Sequence, residues 1–277
     1  MRKGSRLIFF EFNRASRMYF TVLTVMFFTQ LLGFFVMSKG YMGQVDHYIR
    51  TYGLDIPAIQ EAVGIFSPEQ IVQSLWVMGP IAICIVYMIA YTFFIWYRDW
   101  YGTNVFIYRL FMLPVNRTYV FISKAVTILW MVIGIIAFQL LILYIGKWII
   151  AGNIPIDFRS SLSMLDIVMG FNYLTIFFPF TTLQFFTLFG GMFIFITIVF
   201  TAILLERSFQ LKGIIYGLMY IIGSVVLLIS PSIVEKMLQR SFVYPAEMFW
   251  IQVGLFLITA YISIRVSTYL LEKKVRV

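Results

Sequence analysis

Six long apolar runs, with the charged residues confined to the connections between them, constrain this chain more than any other feature. They are Tyr19–Met37, Leu75–Tyr97, Ala125–Gly146, Leu183–Leu205, Gly213–Ser230 and Met248–Ile264. About 20 apolar residues in a helix cross the roughly 30 Å of bilayer hydrocarbon. Only helices and closed barrels satisfy their backbone polar groups there, and the alternation of a barrel strand is absent, so the runs are predicted to be helices. The last run is short and enters Arg265. An arginine near a helix end can snorkel to the interface, so this span is extended to about Leu271. Hydrophobic residues make up 61% of the 277 positions and charged ones 12%, against about 45–50% and about 25% in soluble domains. That balance excludes a soluble globular enzyme, a disordered chain and a disulfide scaffold. It predicts one all-α transmembrane domain over residues 1–277, with six spans.

Orientation follows from the basic residues. Connections 1–18, 98–124, 206–212 and 265–277 carry 15 Lys and Arg in 65 residues, whereas 38–74, 147–182 and 231–247 carry 6 in 90. The positive-inside rule places the first set, and therefore both termini, in the cytoplasm. Ile167–Phe180 is apolar but too short to span, so it is expected to be a re-entrant or interfacial helix on the outside before span 4. A seventh crossing would also put Arg265, Lys273, Lys274 and Arg276 on the wrong side.

The basic start, interrupted by Glu11, lacks an A-x-A cleavage site and is not read as a signal peptide. It reads instead as an amphipathic interfacial helix, with Leu7, Ile8, Phe9, Phe10 and Phe12 as its apolar side and Arg2, Lys3, Arg6, Arg14 and Arg17 facing headgroups. In the first external connection, Asp55-Ile56-Pro57 and Ser67-Pro68-Glu69-Gln70 are helix starts, the second with a capping box from Gln70. The second start is expected to lead into span 2 outside the membrane.

No phosphate-cradling P-loop and no H-E-x-x-H sequence occur, and a single cysteine (Cys84) and a single histidine (His47) build neither a disulfide nor a metal cluster. No catalytic residue, metal or cofactor is therefore assigned to this chain. Asn116-Arg117-Thr118 matches a glycosylation sequon but falls on the cytoplasmic side. The spans hold no Asp, Glu, Lys, Arg or His until their edges, which disfavours an ion-coupled carrier. Their polar side chains include Thr24, Thr29, Gln30, Gln139, Thr187, Thr197 and Thr201. These either glue helices together by hydrogen bonds or line a translocation path. Gly190-Gly191 and Gly217 with Gly223 are sites for close helix approach.

The connection Arg98 to Arg117 is amphipathic and aromatic-rich, and Pro114 ends it before a helix start at Asn116. It either lies on the inner leaflet or inserts into a groove on a soluble partner. Asp99, then Gly102-Thr103, then Leu113-Pro114-Val115-Asn116-Arg117, and Lys124 opening the next span resemble the ABC-2-type transporter permeases. The basic start, six spans and long first external connection extend the resemblance along the chain.

The resemblance implies the permease subunit of a bacterial plasma-membrane exporter. It would pair with a second permease, identical or paralogous, and each would engage a separate ATPase subunit that carries ATP and Mg. A cytoplasmic coupling helix over Val105–Phe111 would dock on that ATPase, with Asp99, Val105, Tyr108, Arg109, Leu110 and Phe111 as contacts. The uncharged, aromatic interior favours an amphiphilic or hydrophobic cargo such as a peptide, antibiotic or lipid-linked molecule. A self-contained secondary transporter or channel, or a non-transporting sensor or assembly protein, are the alternatives.

Overall fold

The computed structural model describes residues 2–100, 112, 116–160, 163, 167–168, 178–179, 181–237 and 244–274. Among these the chain is helical, with only an isolated bridge between Phe66 and Arg159. The helices are α1 (Arg2–Tyr52), α2 (Ile56–Val63), α3 (Pro68–Val72), α4 (Leu75–Trp100), α5 (Arg117–Asn153), α6 (Thr182–Phe209), α7 (Leu211–Met237) and α8 (Pro245–Tyr269). A π turn over Leu270–Lys274 extends α8. Six helices are long and apolar enough to cross a membrane, and they coincide with the six runs of the sequence. This is the make-up of a multi-pass membrane protein.

The first helix departs from expectation. The sequence predicts an interfacial helix over residues 1–18 and a separate span, but α1 is a single helix of 51 residues. At 1.5 Å per residue it is about 77 Å long, more than twice the hydrocarbon thickness. Nothing between Arg2 and Tyr52 is a proline, so no residue forces a break. Its buried positions near the start are Leu7, Glu11 and Ala15, a four-residue spacing that places one side chain per turn on the same face. Phe9, on the apolar side expected to face lipid, is 72% exposed and takes no part in this packed face. The face is chosen by a carboxylate rather than by the phenylalanines.

The chain forms two compact units. The first comprises Met1–Arg14, Met88–Trp130 and Thr182–Val277. Its apolar centre is a ring cluster in which Trp96 and Phe121 each meet Phe200 edge-on at 5.5 Å. All three side chains are buried. Helices α6 and α7 form a hairpin joined by Gln210 alone, whose φ of 55° turns the chain in the left-handed region. A side chain at Gly213 would strike the backbone of Leu205 and Glu206, and one at Gly217 would lie 2.9 Å from the Ala202 carbonyl oxygen. The Gly213-x-x-x-Gly217 pair therefore lets the two helices touch through their backbones. Of the glycines expected to do this, Gly217 does, whereas Gly190, Gly191 and Gly223 face open space.

The second unit comprises Ala15–Tyr87 and Met131–Thr181. Tyr19, Leu23, Met26, Gln30 and Phe34 continue the buried stripe of α1. Gly146 gives room to the Phe34 ring, and Gly33 gives room to Trp76. At one end, Phe66 exchanges backbone bonds with Phe158 (2.9 Å) and Ser160 (3.0 Å), and the Tyr41 hydroxyl donates to the Gly64 carbonyl at 2.7 Å. Both helix starts read from the connection are present. Pro57 lies in the first turn of α2, and Ser67 Oγ accepts from the Glu69 N–H at 3.3 Å. Two details differ. The Gln70 N–H goes to the Ser67 carbonyl, and α3 stops at Val72 so that a turn at Gln73–Ser74 separates it from α4. The Ile167–Phe180 helix lies almost wholly outside the described residues.

Candidate functional site

The most unusual chemistry lies in the first unit, where five charged side chains from three helices converge. Glu11 and Arg14 come from α1, Arg98 and Asp99 from the last turn of α4, and Lys124 from the third turn of α5. Each helix delivers its residue for a local reason. Glu11 follows Leu7 by one turn on the buried stripe. Arg98 and Asp99 end α4, where cations are favoured beside unpaired carbonyls. Lys124 lies two turns inside a helix that Asn116 starts, its Oδ1 accepting from the Thr118 N–H at 3.0 Å.

The Lys124 ammonium is the centre. It donates to Glu11 Oε1 at 2.8 Å, to Asp99 Oδ2 at 2.5 Å and to the Ile95 carbonyl at 3.2 Å, which uses all three of its protons. It also stands 5.2 Å from the centre of the Trp96 ring, a cation–π contact. The remaining carboxylate oxygens are taken by arginines. Arg98 donates to Glu11 Oε2 at 2.9 Å, and Arg14 donates to Asp99 Oδ1 at 2.8 Å. Every carboxylate oxygen therefore faces a cation. Lys124, Asp99 and Glu11 are buried, while Arg14 and Arg98 reach the edge with side chains 23% and 17% exposed.

Buried ions lose hydration worth several kcal/mol each, and attraction offsets this only where the geometry leaves nothing unpaired. Here the carboxylates and the ammonium meet that condition. Three cations against two anions leave one net positive charge, carried toward the edge by the arginines. The arrangement is a fixed ionic joint. It presents no activated nucleophile, and among the described residues no group of His, Cys, Asp and Glu is placed to hold a metal.

Neighbouring contacts reinforce it. The Thr127 hydroxyl lies 3.4 Å from the Ile8 carbonyl. Glu206 accepts from the Tyr97 hydroxyl, and the Arg207 guanidinium covers the rings of Tyr97 (4.9 Å) and Trp100 (5.5 Å). Arg117 donates to the carbonyl of Leu271 in the π turn.

The residues singled out from sequence fall into three groups. Asp99 is in the joint, enclosed and ion-paired within the chain rather than displayed at a surface. Val105, Tyr108, Arg109, Leu110 and Phe111 lie outside the described residues. The polar residues of the spans do not converge. Thr24, Thr29, Thr187 and Thr197 return their hydroxyls to carbonyls of their own helices. Gln30 and Gln139 bond reciprocally at 2.9 and 3.1 Å in the second unit. Thr201 meets the Ser267 hydroxyl at 2.9 Å in the first. Of these, only the Gln30–Gln139 and Thr201–Ser267 bonds join one helix to another.

Sequence reasoning does not bring Glu11, Arg14 and Arg98 together as partners. One signal is present all the same: Glu11 is the only acidic residue before Asp46, and Phe9, Phe10 and Phe12 surround it. A lone carboxylate in such a setting calls for a buried cation. No family model, no curated protein and no solved structure matches this chain.

Proposed function

We propose that the chain is the permease subunit of an ATP-driven exporter, of the ABC-2 type that its motifs resemble, with both ends in the cytoplasm of a bacterial plasma membrane. One observation carries the reading. Asp99 and Lys124, which belong to the motif on either side of the connection, form a buried ion pair of 2.5 Å in the structure. A pair that joins the two ends of a connection is what a chain needs if that connection is to take up force from a soluble partner without fraying its helices. Arg117, a third motif residue, is likewise anchored, on Leu271.

In this reading the ATPase is a separate subunit, ATP and Mg belong to it, and a second permease completes the assembly. The cargo is amphiphilic or hydrophobic, in keeping with spans whose polar side chains bond within the chain. The test is purification of the full chain from its native membrane in mild detergent. A co-purifying Walker-motif subunit, with vanadate-sensitive ATP hydrolysis that is absent from the chain alone, is expected. Chain that is folded and carries no such subunit under any mild extraction overturns the reading.

A further inference from the structure

The sequence motif accounts for Asp99 and Lys124 but gives no part to the N-terminal segment of α1. The structure does, through Glu11. One carboxylate oxygen binds Lys124 on α5 and the other binds Arg98 on α4, at 2.8 and 2.9 Å. Arg14, three residues on, binds Asp99 on α4 at 2.8 Å. The segment 2–14 is thus fastened to both helices that flank residues 101–116, at the last turn of α4 and the third turn of α5.

The chain runs from the first unit into the second within three helices, at Arg14–Ala15 of α1, Tyr87–Met88 of α4 and Trp130–Met131 of α5. These are the three helices that supply the five charges. Helices α6, α7 and α8 stay within the first unit and supply none.

We propose that Glu11 is a positioning residue that makes the N-terminal segment one mechanical piece with both ends of the 101–116 connection. A displacement of the connection then reaches α1 directly, beside α4 and α5. The clamp stands on the geometry alone, and its role in transmitting an ATPase stroke rests on the permease reading above.

The two claims separate in one set of variants. In full-length chain reconstituted in lipid nanodiscs, with Cys84→Ser, a cysteine is placed by Leu7→Cys on the buried face of the segment. Its labelling by a polar maleimide reads how often the segment lifts away. Glu11→Gln together with Lys124→Met keeps the joint's net charge at one positive, removes both ionic contacts of Glu11 and leaves only Arg14–Asp99 to hold the segment. Labelling is expected to rise about tenfold or more, the factor for one charge-assisted hydrogen bond in a docking equilibrium. Glu11→Asp, which keeps the charge, should stay near the parent rate.

Ser267→Cys, buried between α6 and α8, reports general loosening, and its labelling should not change. If it does rise in the paired variant, Glu11→Gln alone is read in the same way. Labelling at position 7 that is unchanged in both variants overturns the clamp. With the ATPase bound, the paired variant should keep association and lose transport coupled to hydrolysis. Unimpaired transport overturns the transmission and leaves the permease reading intact. A parent chain with no ATPase overturns that reading, and the labelling then decides the clamp by itself.

Discussion

The two units hold the same helices together by opposite means. In the first, α1, α4 and α5 meet through five charges centred on Lys124. In the second, α1 and α5 meet through the uncharged Gln30–Gln139 pair, and Gln30 lies 3.5 Å from the Val77 carbonyl of α4. An amide pair can be lost or exchanged at small cost, since a separated glutamine in lipid finds other partners. A buried ion has no such alternative. The difference teaches where the fold tolerates change: the neutral seam is adjustable, and the ionic joint accepts best those changes that keep its charges balanced.

The largest way to break this contrast is Lys124→Met. It leaves two buried carboxylates with the two arginines alone, and a cost of about 3–5 kcal/mol is expected, read as lost monodisperse protein and a lower Tm. Adding Glu11→Gln should recover most of that stability, because the net charge of the joint returns to its original value. Next comes Asp99→Asn, which weakens charge-assisted bonds to Lys124 and Arg14 without removing volume. It should cost about 1.5–3 kcal/mol by denaturant titration.

Gln30→Leu tests the other side of the comparison. It should cost only about 0.6 kcal/mol, and no more than about 1.7 kcal/mol, since it strands one amide in a setting that offers backbone carbonyls. Smallest of all, Gln30→Leu with Gln139→Leu removes both partners together and should fall within about 0.5 kcal/mol of the parent. A double leucine variant as damaged as Lys124→Met would erase the distinction between the two seams.

The spans were legible because hydrocarbon thickness imposes itself on the sequence: a helical run of about 20 apolar residues matches the bilayer and little else. Pro57, Ser67 and Asn116 were also readable, since helix starts are written in local chemistry. The continuity of α1 was not. A basic, phenylalanine-rich start satisfies both an interfacial helix and the extension of a span, and only the placement of Glu11 against Lys124 and Arg98 decides between them. That is a tertiary fact, made by residues 87 and 113 positions distant in the chain. Asp99 and Lys124 stand out in the sequence as motif residues, but nothing there pairs them with each other. The rest of the joint was hidden because each charge, taken singly, also suits a headgroup or a topology signal. The Gly213-x-x-x-Gly217 contact was half seen for a similar reason, as small residues mark an approach only once the facing backbone is known.

The single-residue turn at Gln210 has a consequence for how the chain is made. Helices α6 and α7, with Gly213 and Gly217 pressed on the facing backbone, leave no room for lipid between them at that end. Helix α7 is therefore bound to meet α6 as soon as it is made, ahead of α8. The two are expected to enter the bilayer as one helical hairpin, a ready-paired unit rather than two independent segments.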